Sequence, residues 1–227
     1  MKFENTEVCN FEGALRGMRN PKESWNKSDS YYGNNEVGLE SYVIGSNDLQ
    51  LAQTLIRAGS EHRKFMRQIF VSVDITAPLY WWKEFDTYKV GTVSNSCSTM
   101  HKLADTPITL DCFEMDDFTP LIDNFKLDLF WKTVVSYLEQ LRQKYNETKG
   151  KRYWKELIRL LPESWLQKRT VTMDYENLLV ICSKGQRRFH KLTEWSKSFI
   201  DWARTLPYAQ ELIFIDEYEL KDEKEND

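Results

Sequence analysis

The chain has 227 residues, of which 41% are hydrophobic, 29% charged and 14% aromatic, with eight Trp. That composition supplies a sizeable core and excludes a disordered chain. The formal charge of −4 resides in the last twelve residues, DEYELKDEKEND, whose seven acids and two lysines leave the remainder with 29 basic and 28 acidic residues. So neutral a body is excluded by bulk charge from binding duplex DNA or a membrane surface.

The N-terminal stretch MKFENTEVCNFEG lacks an apolar signal core, and no run approaches the roughly 18 apolar residues that a membrane span needs. Cys9, Cys97, Cys112 and Cys182 form no CxxC pair, and His62, His101 and His190 are as scattered. A soluble cytoplasmic protein with reduced thiols and no zinc site is expected. The abundance of Trp points to oligomerisation, because large aromatics dominate interfaces through the area they bury.

In chain order, residues 1–46 read as loop-rich, with one strand at GLESYVIG. Ser46, Asn47 and Asp48 offer an N-cap to the helix DLQLAQTLIRAG, which Gly59 stops. In FMRQIFVSVDI the β-branched residues Ile69, Val71, Val73 and Ile75 alternate with Phe70, Ser72 and Asp74, which predicts a strand, with His62 at its start. Thr76-Ala77-Pro78 opens a helix with the stripe Leu79, Trp82 and Phe85. The polar stretch TYKVGTVSNSC (87–97) leaves its far end, too polar for core and too long for a tight turn.

A loop holding Asp111, Asp116 and Asp117 covers 104–120. Leu127, Trp131, Val134, Leu138, Leu141 and Tyr145 then recur at helical spacing within 121–147, a strip that suits core or subunit contact. Shorter helices are predicted at YWKELIRLLP, MDYENLLVICSK, LTEWSKSFIDWART and YAQELIFI. The expected fold class is α+β: one mostly helical domain over 1–215 around an antiparallel sheet, with 216–227 as an acidic, disordered tail.

No Walker loop, Rossmann fingerprint, HExxH or GxSxG is present, and nine Gly make a glycine-built phosphate cradle improbable. Phosphate would fall to Arg and Lys side chains or to helix N-termini, with Lys89 and Arg187-Arg188 as candidates by placement. An arginine pair at a helix end is more often there for the helix dipole and water.

Several ordered pieces between 49 and 213 resemble the flavin-dependent thymidylate synthases. A strand runs into Ala77-Pro78-Leu79-Tyr80 and an aromatic helix, and a polar turn follows. Ser60-Glu61-His62 before Phe65 resembles the family's Glu-His element. Arg159-Leu160-Leu161-Pro162 resembles its Arg-x-x-Leu-Pro motif, short by about one residue, and DYENLLVICSKGQRR with AQELI resembles its final arginine-bearing segment. Where the family has Arg-His-Arg, this chain has Thr87-Tyr88-Lys89; seven residues later Cys97 stands in the place of the family's Ser.

The resemblance implies FAD as cofactor, held by His62, Thr87, Tyr88, Lys89 and Asp174. It implies a dUMP-like pyrimidine nucleotide as substrate, held by Glu84, Lys89, Asn95, Ser96, Arg159, Arg187 and Arg188. Methylenetetrahydrofolate would be the one-carbon donor, a homotetramer the assembly, and methyl transfer in nucleotide biosynthesis the activity. Cys97 would be the catalytic residue, its thiolate attacking the pyrimidine ring if positive charge lies beside it. Two other readings stand beside this one: a nucleotide-binding protein that keeps the pocket without the reaction, and a purely structural helical oligomer.

Overall fold

The structure, a computed structural model, describes residues 1–34, 40–116, 118–122, 125–187 and 191–217. The fold is α+β, with helices around an antiparallel sheet, as the sequence leads one to expect. In chain order the elements are β1 (Lys2–Cys9), α1 (Phe11–Arg19), β2 (Tyr31–Asn34), β3 (Glu40–Val43), α2 (Ser46–Arg57), β4 (Phe70–Pro78), α3 (Leu79–Phe85), β5 (Val93–Ser96) and α4 (Thr99–Lys102). They continue with β6 (Leu121–Ile122), β7 (Phe125–Lys126), α5 (Leu127–Thr148), α6 (Lys151–Arg159), β8 (Leu166–Asp174), α7 (Tyr175–Ile181), α8 (Lys184–Arg187), α9 (Ile200–Ala203) and α10 (Ala209–Leu212). A π-helical stretch, Glu194–Phe199, leads into α9. The main sheet has the order β1-β4-β8-β5; β2-β3 and β6-β7 are separate antiparallel hairpins. Among the described residues no helix is long and apolar enough to cross a membrane.

The chain divides into two compact units. One comprises residues 1–2, 74–87 and 94–170. Its core gathers Leu103, Ile108, Phe113, Leu138 and Leu157, with Trp131, Val134 and Leu141 packed against them. The periodic strip of α5 is therefore core, and the helix instead exposes Leu129, Phe130 and Tyr137. In the same unit α3 follows β4 directly, because Pro78 is extended and lacks the N–H that a further ladder bond would need. Trp82 ties this helix back: its Nε1 donates to the Ala77 carbonyl at 3.1 Å and to the Gln167 carbonyl of β8 at 3.0 Å.

The other unit comprises residues 3–73, 88–93 and 171–227, described as far as 217. Val71 and Val73 of β4 are fully buried, as alternation predicts, but residues 64–68 form a 3₁₀ helix, so the strand begins only at Phe70. His62 lies in the turn before that helix rather than at a strand start, its N–H donating to the Gly59 carbonyl. Residues 1–46 are less loop-rich than their sequence suggests, since they hold β1 and α1. The polar face of β1 and the two glycines of α1 mask both elements.

The cap of α2 also differs. Helix α2 starts at Ser46 itself, and its cap comes from a distance: the Asp29 carboxylate accepts from Asn47 N at 2.9 Å and from Asp48 N at 3.1 Å. Asp48 turns inward, fully buried, and takes bonds from Arg19 Nε at 2.5 Å and from the Ser28 and Ser30 hydroxyls at 2.6 Å each. Of the acidic tail expected at 216–227, Glu217 pairs with Arg204 at 2.6 Å, and residues from 218 on lie outside the described residues.

Burial pushes the Asp48 carboxyl up, but the bonds from Ser28, Ser30 and Arg19 outweigh it and hold it below the usual carboxylate range. A carboxyl depressed on folding contributes stability above its unfolded value, near 4, and loses it as pH falls through the folded one. Asp48→Asn leaves Arg19 buried without its counter-charge and should cost about 3 kcal/mol or more in urea unfolding at pH 7. Below about pH 4 the gap between variant and parent should narrow.

Candidate functional site

The polar stretch 87–97 is neither disordered nor a single loop. Thr87 closes α3, its N–H and hydroxyl both donating to the Glu84 carbonyl, the latter at 2.7 Å. Residues 88–93 form a tight turn closed by Thr92 Oγ1 donating to the Tyr88 carbonyl at 2.6 Å. Gly91 has φ +82°, a left-handed conformation that an L side chain adopts only with strain. Tyr88 packs on Trp195, with ring centroids 5.9 Å apart.

The turn is seated on the first residues of α7. Asp174 ends β8 and caps that helix: its Oδ1 accepts from Asn177 N at 2.8 Å, while Asn177 Oδ1 accepts from Asp174 N at 3.1 Å. This reciprocal box satisfies two backbone donors at the strand–helix junction. The Asn177 side-chain N–H₂ then donates to the Val90 carbonyl at 2.6 Å and fixes the turn. Burial pushes the Asp174 carboxyl up. Three predicted cofactor residues, Tyr88, Lys89 and Asp174, thus come together here. Lys89 is exposed and has no ion-pair partner among the described residues.

Two arginines that the sequence reading passed over lie beside the same helix. Arg63 Nε donates to Glu176 at 3.0 Å, and Arg67 Nε bonds the other carboxylate oxygen. Burial pushes the Glu176 carboxyl up, but hydrogen bonds from Arg67 and Arg63 hold it below its ordinary range. Their spacing of four in HRKFMR was the available signal. His62, exposed, borders a different cavity of about 470 Å³ with Leu51, Leu55, Glu61 and Phe65.

In the unit containing 94–170, Asn95, Ser96 and Cys97 are exposed along and just beyond β5. The backbone of Cys97 is tied to β8, its N–H donating to Lys168 O and its carbonyl accepting from Gln167 Nε2, both at 2.9 Å. The two cations of that strand are neutralised: Lys168 lies 3.1 Å from Asp74, and Arg169 pairs with Asp86 at 2.8 Å while stacking over Trp82 at 4.3 Å. Arg159 lies exposed on α6, paired with Glu156 at 2.6 Å. Nothing is described of the Arg187 side chain, and Arg188 lies outside the described residues.

Replacing Gly91 tests the seating of the turn. A Cβ there would stand 2.7 Å from Asp174 Oδ2 and 3.0 Å from Asn177 Oδ1, in addition to the backbone strain. Gly91→Ala should cost about 1–3 kcal/mol. It should also raise amide hydrogen exchange at 88–93 and at the start of α7, readable by mass spectrometry.

No protein-family model and no curated protein matches the chain. Solved structures do. A flavin-dependent thymidylate synthase ThyX from Helicobacter pylori, complexed with FAD and dUMP, superposes with a TM-score of 0.65 at 16% identity, covering 95% of this chain and 99% of that one. A second structure of Helicobacter pylori ThyX with FAD and dUMP gives 0.63 at 17% identity, covering 92% and 95%. The chain has the fold of these enzymes over nearly its whole length.

Proposed function

We propose that the protein binds a pyrimidine nucleotide of the dUMP type through its 87–97 segment, on a thymidylate-synthase-like fold, without a resident flavin and without the methyl-transfer reaction. The observation that supports it most is the ordered seating of a polar segment, Lys89 included, at the chain position where the resemblance places nucleotide contacts. Lys89 offers a phosphate one charge-assisted bond. Glu84, Asn95, Ser96, Arg159, Arg187 and Arg188 enter the reading from the resemblance.

The residues suited to a flavin dinucleotide by position do not fit one. Its diphosphate needs paired cations or an open helix N-terminus. Thr87-Tyr88-Lys89 supplies one cation, and the N-terminus of α7 is filled by the Asp174 carboxylate. His62 borders a cavity beside Glu61. Methylenetetrahydrofolate has no role in this reading, and no step is assigned to the exposed thiol of Cys97.

A second element of the proposal is self-association. Phe125, Leu129 and Phe130 are 70%, 59% and 60% exposed, large apolar side chains near the start of α5 that a second copy of the chain would cover. Light scattering should return a multiple of 27.0 kDa, the homotetramer by resemblance; a monomer at micromolar concentration contradicts this.

In thermal-shift and calorimetric titrations dUMP should stabilise the colourless protein. Lys89→Ala should weaken binding about tenfold or more, and Cys97→Ser should leave it unchanged. A protein that no pyrimidine nucleotide stabilises overturns the proposal, and a purified protein with bound yellow flavin overturns its cofactor-free form.

A further inference from the structure

One cavity in the unit containing 94–170 has no part in the nucleotide reading. It encloses about 990 Å³, a size suited to a small-molecule ligand. Three of its walls are rings: Phe113 sits 5.4 Å from Trp131 and 5.5 Å from Trp165, centroid to centroid. Carboxylates complete it, with Asp111, Glu114 and Asp116 all on its lining.

Glu114 is the unusual member, with its side chain only 7% exposed. An ionised carboxylate so far out of water needs compensation. One of its oxygens accepts from Asp116 N at 3.1 Å. The other lies 3.4 Å from the ammonium of Met1, which is also 3.6 Å from Asp116. Both distances exceed the roughly 2.7–2.9 Å of a close N⁺–H···O⁻ bond. A carboxylate has about four lone-pair positions, so among the described residues acceptor capacity remains on both acids. Of the two lysines on the lining, Lys2 and Lys132, Lys132 pairs instead with Asp128 at 3.8 Å. The electron-rich faces of Trp131, Trp165 and Phe113 attract positive charge as the carboxylates do.

We infer that this cavity is a binding site for a small organic cation, an ammonium group carried on an apolar body, with Glu114 and Asp116 receiving the charge and Trp131 and Trp165 enclosing the body. The site stands apart from the nucleotide proposal and survives its failure.

The test is titration of the full chain with 2-phenylethylamine and with 2-phenylethanol, a neutral molecule of nearly the same shape, read by Trp fluorescence and calorimetry. The amine should saturate with a dissociation constant below about 1 mM. The alcohol, and the amine on Glu114→Gln, should each bind about tenfold more weakly or worse. Trp131→Ala should weaken the amine and reduce the fluorescence change. If Glu114→Gln fails to fold by circular dichroism, Asp111→Asn, on an exposed side chain, carries the test and should weaken the amine about threefold. Equal binding of amine and alcohol overturns the inference. So does amine binding undiminished in the acid variant that folds, or the absence of saturation up to about 10 mM.

Discussion

The Asp174–Asn177 box carries more of this structure than its two residues suggest. It ends β8, begins α7 and lends Asn177 to the Val90 carbonyl, so strand, helix and polar turn share one set of hydrogen bonds. The turn has little apolar area of its own to hold it, with Val90 88% exposed. Its order therefore derives from the cap beneath it and from Tyr88 against Trp195. Because Asp174 occupies the helix N-terminus, that terminus is closed to an external anion. The same interaction that orders the candidate site thus narrows what the site can hold.

Charge pairing elsewhere points the same way. Lys168, Arg169, Arg63 and Arg67 are each matched by a carboxylate and stabilise the fold, leaving Lys89 as the exposed cation of the turn. One lysine is a point charge and does not replace a bidentate arginine pair on a diphosphate. On the function proposed above it serves a single phosphate, which asks for fewer paired cations than a flavin diphosphate.

Much of the fold could be read from the residues because local pattern and burial agree. Val71 and Val73 alternate into the core, and the α5 strip from Leu127 to Tyr145 declares its helix. What the residues concealed depends on partners distant in sequence. Strand β8 reads as polar through Gln167-Lys168-Arg169-Thr170, because Asp74, Asp86 and the Trp82 ring compensate those groups from about 80 to 100 positions away. The Asp29 cap and the inward Asp48 are hidden for the same reason, as Ser46-Asn47-Asp48 is a plausible cap in its own right. Of the segment 87–97, the polarity and the position after an aromatic helix were legible. Its division into a seated turn and an exposed strand end, and the use of Asp174 as its support, were not.

The central claim is that the segment serves a pyrimidine mononucleotide while flavin has no place. Mass spectrometry of the small molecules released on denaturing freshly purified protein addresses it most directly. The account predicts a pyrimidine nucleotide, or such a nucleotide retained after incubation with dUMP, and no flavin. Stoichiometric FAD in the released fraction, or an empty protein that retains no nucleotide after incubation, would contradict it.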